Sequence, residues 1–233
     1  MTEVDDLDDA VERKRAVAHA YTLDGYAATM IKGLDHVVLV VLDLDAAIAE
    51  HRGRGYIVQR GGEHPGGVSH NALIGFADGS YLELFAFHDL KKSRGKHSWA
   101  PVAERGGGWA DFALLSDDVV TDAAKLGDLL VRPTEPGGRK RPDGVEIGWR
   151  VARLRSPLPF LIMDRTPRDL RVPSGDATRH PNGVAGVTSV VLGARDVAAV
   201  AGAYSRLRER GAPLIDIREA GADGVIDVLL AAR

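Results

Sequence analysis

Three stretches of this chain begin alike. An apolar, β-branched run from Leu34 to Leu42 gives way to "DLDAAIAEHRGRGY", where Leu44, Ala47, Ile48 and His51 recur at helical spacing before glycines end the pattern. A short strand "YIVQR", a glycine-rich loop "GGEHPGGVS" and the strands "HNALIGF" and "SYLELFAF", joined at Asp78-Gly79, complete the order β-α-β-β-β. "GWADFALLSDDVVTDAAKLGDLL", residues 108 to 130, is again strand then helix, ahead of the loop "RPTEPGGRKRPDG" and the strands "VEIGWRVARL" and "LPFLIMD". A third start, Gly186 to Leu192, lays over Gly33 to Leu39 and ends in "LIDIR" and "VIDVLLAA", one strand short. Such self-similarity predicts modules at 30–90, 108–166 and 183–233. An unfinished third module leaves a sheet edge exposed, which favours pairing into a homodimer.

The bulk numbers narrow the function classes. With 30 Lys plus Arg against 33 Asp plus Glu, the net charge of −3 offers no positive field for nucleic acid or an anionic membrane. There are no cysteines, so any metal must be held by histidine or oxygen, and a reducing cytoplasm suits the chain. No apolar stretch approaches a membrane span or a signal peptide. In the acidic N-terminal extension, residues 1–29, Leu7, Val11, Ala18 and Tyr21 recur at roughly helical spacing, which predicts an amphipathic helix over 5–21. Walker, Rossmann, nucleophile-elbow and zinc-protease motifs are all missing from the sequence.

His36 stands inside the first Val/Leu strand, and Glu83 inside the fourth. Alternation sets His36 on one face with Leu34, Val38 and Val40, and Glu83 with Tyr81, Phe85 and Phe87. An ionised glutamate in such a strand must be paired, because isolation costs several kcal/mol or forces protonation. Arg150 sits on a strand beside Trp149, where it could clamp a substrate carboxylate or lie on a solvated face with Arg153 and Arg155. His64 lies in the glycine-rich loop, which could close over a ligand. His180 is read as a turn residue without a role.

The string "GGEHPGGVSHNALIGFADGSYLELFAF", with the later "LPFLIMD" and "RHPNGVAGV", resembles the glyoxalase-like branch of the vicinal oxygen chelate superfamily over about residues 30 to 231. The resemblance implies an α+β fold of repeated βαβββ modules whose curled mixed sheets form a cleft, with first and fourth strands side by side. It implies that His36 and Glu83 are ligands of a divalent metal, Fe, Mn, Zn or Ni, with Asp111 at the position in the second module that matches His36. It further implies that His70 serves as an acid/base and Asn71 orients a substrate carbonyl. The chain departs from the family pattern in two places: "LPFLIMD" has no acid where Glu83 would fall, and the third copy carries Ser189 in place of His36. Two functional classes follow. One is a metal-dependent lyase or isomerase for a small oxygen-rich substrate, with ring-cleaving dioxygenase chemistry less suited to this ligand set; the other is a metal-free protein that sequesters a small molecule.

Overall fold

The computed structural model describes residues 31–232, so the predicted N-terminal helix lies outside the described residues. The chain runs β1 (Ile31–Val40), α1 (Leu44–Gly53), β2 (Gln59–Glu63), β3 (Ser69–Gly75), β4 (Tyr81–Phe87), then two short helices, α2 (Leu90–Ser93) and α3 (Ala100–Glu104). It continues with β5 (Gly108–Ser116), α4 (Val119–Leu126), β6 (Glu135–Lys140), β7 (Glu146–Ala152), β8 (Phe160–Asp164) and the single-turn helix α5 (Arg168–Arg171). These eight strands close a barrel in the order β1-β4-β3-β2-β6-β7-β8-β5. The remaining elements, β9 (Val184–Ala194), α6 (Val197–Arg208), β10 (Asp216–Glu219) and β11 (Gly224–Ala232), make a three-stranded sheet ordered β10-β9-β11.

Each long helix begins the same way. Asp43, Asp118 and Asp196 accept hydrogen bonds from backbone N–H groups of the first helical turn, which is the N-cap role their short carboxylates suit. The strands leading into these caps are parallel partners of the strands that end each run: β1 pairs with β4, setting His36 opposite Tyr81 and Val38 opposite Glu83, and β5 pairs with β8, setting Ala113 opposite Phe160. β1 and β5 meet antiparallel, and the barrel closes across β2 and β6 at Glu63 opposite Lys140.

The two faces of the barrel wall are chemically distinct. Val37, Ala72, Leu84, Phe112, Leu114 and Leu161 point outward into the main core, which also takes in Val190, Leu192, Tyr204 and Leu207 of the third sheet and its helix. Val38, Val40, Phe85, Val151, Phe160 and Ile162 face the interior. One expectation about faces fails: Leu34 does not share a side with His36. A bulge in β1 between Leu34 and His36 breaks the two-residue period, so Leu34 packs in the outer core while His36 turns inward.

Two further boundaries depart from the sequence reading, and both involve glycine. β2 runs through Gly61 and Gly62, taken above as loop, and β6 lies wholly inside the stretch "RPTEPGGRKRPDG". Glycine is an unfavourable strand residue, yet it belongs here because another group comes close. A Cβ on Gly61 would stand 2.0 Å from Asn71 Oδ1, and one on Gly137 would stand 2.2 Å from Trp149 Nε1. Among the described residues no helix is long and apolar enough to cross a membrane.

Phe112 is fully buried between the barrel wall and the helices. Phe112→Ala should therefore lower stability by about 3–5 kcal/mol through lost transfer energy and the cavity left behind; urea denaturation followed by circular dichroism measures it.

Candidate active site

The barrel encloses a chamber of about 240 Å³ on whose wall the polar side chains of β1, β3, β4 and β6 converge. His36 lies there at 3% exposure, stacked on Tyr81 with ring centroids 4.6 Å apart and met edge-on by Phe160 at 5.4 Å. Its two nitrogens face two carboxylates: Nδ1 is 2.6 Å from Asp35 Oδ1 and Nε2 is 3.5 Å from Glu83 Oε2. Glu83 is buried too, and its Oε1 accepts from Asn71 Nδ2 at 2.7 Å. His64, at the head of the β2–β3 loop, brings Nε2 to 3.8 Å from the same Oε1, while its Nδ1 and Ser69 Oγ lie 3.0 Å apart.

Asp35 is the deepest charge in this assembly, with no exposed surface. Arg171 grips it with two guanidinium nitrogens, each at 2.8 Å, and Arg168 reaches it at 2.5 Å. Arg171 also donates to Asp164 and, at 2.7 Å, to the Tyr81 hydroxyl. The β1 bulge allows consecutive residues, Asp35 and His36, both to point away from the outer core.

These contacts set the protonation states. Burial alone would raise the Asp35 carboxyl, but the Arg171 guanidinium more than reverses that and holds it well below the usual carboxylate range. Burial also opposes charge on His36; the hydrogen bond to Asp35 and the nearby Glu83 carboxylate outweigh it and lift the imidazole above its ordinary value. Glu83 feels the same contest, with burial raising it and His36 pulling it down to about 2. For His64 burial is the larger effect: the Glu83 carboxylate pulls upward, but the pKa is lowered overall, which favours the neutral ring. His97, above the chamber beside Phe85, is lowered to about 4, chiefly by burial and secondarily by Arg153.

Of the residues singled out in the sequence, His36, His64, Asn71 and Glu83 come together on the chamber wall. Asp111, Arg150 and His70 lie elsewhere. Asp111 accepts from Trp99 Nε1 at 3.1 Å and from the Phe112 N–H at 2.9 Å, and it lines a separate hollow; burial pushes its carboxyl up to about 6. Arg150 points away from the chamber, because alternation gives that side of β7 to Trp149, and it donates to Thr134 instead. His70 alternates with Asn71 in the same way and stands beside Glu63 and His88 at the barrel rim. His180, read as a turn residue, is buried and bridges two segments: it accepts from the Ile57 N–H at 3.0 Å and its other nitrogen lies 2.8 Å from the Gly75 carbonyl oxygen.

Sequence reasoning missed Asp35, Tyr81 as a site residue, Arg139 and Arg171. Asp35 carried a signal, being a second ionisable side chain inside the same apolar run as His36. Arg139 lay in a stretch taken for a loop, and Arg171 in the segment between the second and third modules, where an arginine is ordinary.

Comparison with known proteins agrees with this architecture. The family profile described as a glyoxalase-like domain matches residues 34–208. The chain belongs to the glyoxalase-like domain family. That family is part of the vicinal oxygen chelate superfamily, and the profile spans every strand of the glyoxalase-like barrel. No curated protein sequence matches the chain. Among solved structures, a hypothetical protein from Staphylococcus aureus is 14% identical and superposes with a TM-score of 0.68 over 85% of this chain and 90% of that one, a likeness of fold. A methylmalonyl-CoA epimerase from Streptomyces coelicolor is 21% identical, with a TM-score of 0.43 over 58% of this chain and 99% of its own. The methylmalonyl-CoA epimerase from Mycobacterium tuberculosis is 19% identical, with a TM-score of 0.44 over 64% and 97%.

Asp35 supplies a test of how the glyoxalase-like interior is held. Its pKa is depressed in the folded chain, so its contribution to stability is complete above the unfolded carboxylate value of about 4 and is lost as pH falls below that toward the folded value. Asp35→Asn should cost about 3–5 kcal/mol near neutrality by leaving Arg171 and Arg168 short of a partner. It should also flatten the loss of stability on acidification; urea melts at a series of pH values give both readings.

Proposed function

We propose that the chamber is the active site of a lyase- or isomerase-type enzyme acting on a small, oxygen-rich, anionic molecule such as a hydroxy-keto acid, with a divalent metal held by His36 and Glu83. One observation carries the reading: His36 Nε2 and the Glu83 carboxylate face each other at 3.5 Å with their other polar atoms already engaged, by Asp35 and by Asn71. A charge-assisted hydrogen bond closes to about 2.7–2.9 Å. Two ligands bound at about 2.1 Å to one tetrahedral ion are instead separated by about 3.4 Å. A carboxylate on the far nitrogen of a ligating imidazole is also the usual support, because it fixes the tautomer and orients the ring.

The donor set of imidazole nitrogen and carboxylate oxygen suits Fe, Mn, Zn or Ni without selecting among them. Asp111 is separated from the chamber by Trp99, which borders both hollows. When bound, the ion would act as a Lewis acid on a carbonyl or enolate oxygen. The chain's own residues account for the rest. His64 is neutral and can take a proton from the substrate. Arg139 is buried, donates Nη2 to the Arg171 carbonyl and leaves Nε without a partner, so a substrate carboxylate would meet an unsatisfied cation. Phe85, Trp99, Trp149 and Phe160 exclude water around it.

A second reading, a metal-free protein that sequesters a small molecule, draws on one specific observation. Where β1 and β4 set Val38 opposite Glu83, the matching pair of β5 and β8 sets Ala113 opposite Phe160, so the second half of the barrel contributes an aromatic ring in place of a ligand.

Elemental analysis of the untagged chain and of folded His36→Ala and Glu83→Ala variants separates the two. The metal reading expects an equivalent of divalent ion in the parent that is missing from each variant. A parent that takes up no ion at this pair when offered Fe(II), Mn(II), Ni(II) and Zn(II) would sink it and leave sequestration. Under either reading Arg139→Ala should weaken binding of an anionic ligand by at least about tenfold, measured by calorimetry.

A further inference from the structure

Outside the chamber, a second group of potential ligands gathers at the rim of the barrel. Glu63 ends β2, His70 is its cross-strand partner in β3, and His88 follows the end of β4, with its N–H bonded to the Val68 carbonyl at 3.1 Å. Among the described residues this is the one set of three His or carboxylate side chains whose ligand atoms all fall within 4.8 Å of one another. Glu63 Oε2 lies 2.5 Å from His88 Nε2, and Glu63 Oε1 lies 4.0 Å from His70 Nδ1. The two imidazole rings are 4.0 Å apart between centroids. Two imidazoles and a carboxylate thus present their ligand atoms to one common point.

We propose that Glu63, His70 and His88 form a second metal site, for a borderline divalent ion of the zinc class, distinct from the His36–Glu83 pair. Two imidazoles and one carboxylate, with a position left for water, is a donor set that such ions accept. The ligands come from three neighbouring strand ends, so the ion ties β2, β3 and β4 together at one rim. Its place in the chain gives it a second effect. Glu63 and His70 flank the segment His64 to Ser69, which contains Pro65, Gly66 and Gly67 and hangs His64 and Pro65 over the chamber. An ion at the rim therefore clips the neck of that loop and fixes the position of His64, linking metal supply outside the barrel to the geometry inside it. The rim site stands on its own geometry and holds whether or not the interior pair binds metal.

The test is a Zn(II) titration of the full-length chain by competition with a chromophoric chelator, run beside His70→Ala/His88→Ala and His36→Ala/Glu83→Ala variants, with amide hydrogen exchange of residues 64–69 followed in each. The rim site predicts an equivalent of Zn(II) that the first variant loses, with affinity falling by at least about tenfold, and that the second retains. Zinc should slow exchange in 64–69 in the parent and in the interior variant. Equal zinc binding by the parent and the His70→Ala/His88→Ala variant would overturn the site, and so would exchange in 64–69 that zinc leaves unchanged, since an ion captured loosely at the surface would not brace the loop. Loss of an equivalent in the interior variant alone would overturn the rim proposal while upholding the interior one, so the two are judged separately.

Discussion

The grip of Arg171 and Arg168 on Asp35 is the contact on which the interior depends. A carboxylate with no exposed surface is tolerable only when its partners are equally fixed, and here two guanidinium groups from one short helix turn supply them. Because Asp164, at the end of β8, shares Arg171, the first strand and the last strand of the barrel are joined through a single charge cluster. Everything proposed for the chamber stands one contact away. Asp35 orients His36, His36 and Asn71 orient Glu83, and the Tyr81 hydroxyl that meets Arg171 belongs to the ring on which His36 is stacked.

Such a cluster adds less to net stability than its number of bonds suggests, since each charge must first be stripped of water. Its effect is geometric. Hydrophobic burial of residues such as Phe112, Leu114 and Leu161 holds the wall together from outside, but apolar packing is non-directional and would leave an imidazole free to rotate. Directional hydrogen bonds fix the ring plane and leave His36 Nε2 facing Glu83. The division of labour follows the two faces of the strands, apolar outward and mixed polar and aromatic inward.

How much of this was legible beforehand depended on whether a feature was local. The recurring strand-and-helix starts and the Asp78-Gly79 turn are properties of short windows, and the glyoxalase-like fold followed from a resemblance carried by similarly short strings. His36 and Glu83 stood out because an ionisable group in an apolar strand is costly wherever the strand ends up. Asp111 and Arg150 were read from position and residue type, and their contacts depend on what the barrel brings beside them: the Trp99 indole in one case, Thr134 in the other. The bulge at Leu34 and His36 could not be read at all, because a single extra residue in a ladder leaves no compositional mark. Strand β6 was hidden for a related reason, since Gly137 and Gly138 argue for a loop until Trp149 is known to lie across the first of them.

Those glycines also say something about how the interior came to have its size. The chamber is hollow partly because Gly61 and Gly137 have no side chain to present, so that Asn71 and Trp149 can lie flat against neighbouring strands. In a barrel whose circumference is fixed by strand number, the diameter of the cavity is thus adjustable at the scale of a single methyl group, without moving a strand. Two chains of this architecture could keep the same polar floor and differ in the molecules they admit through changes at such positions alone, which makes the wall, more than the charged centre, the natural place to look for differences in ligand preference.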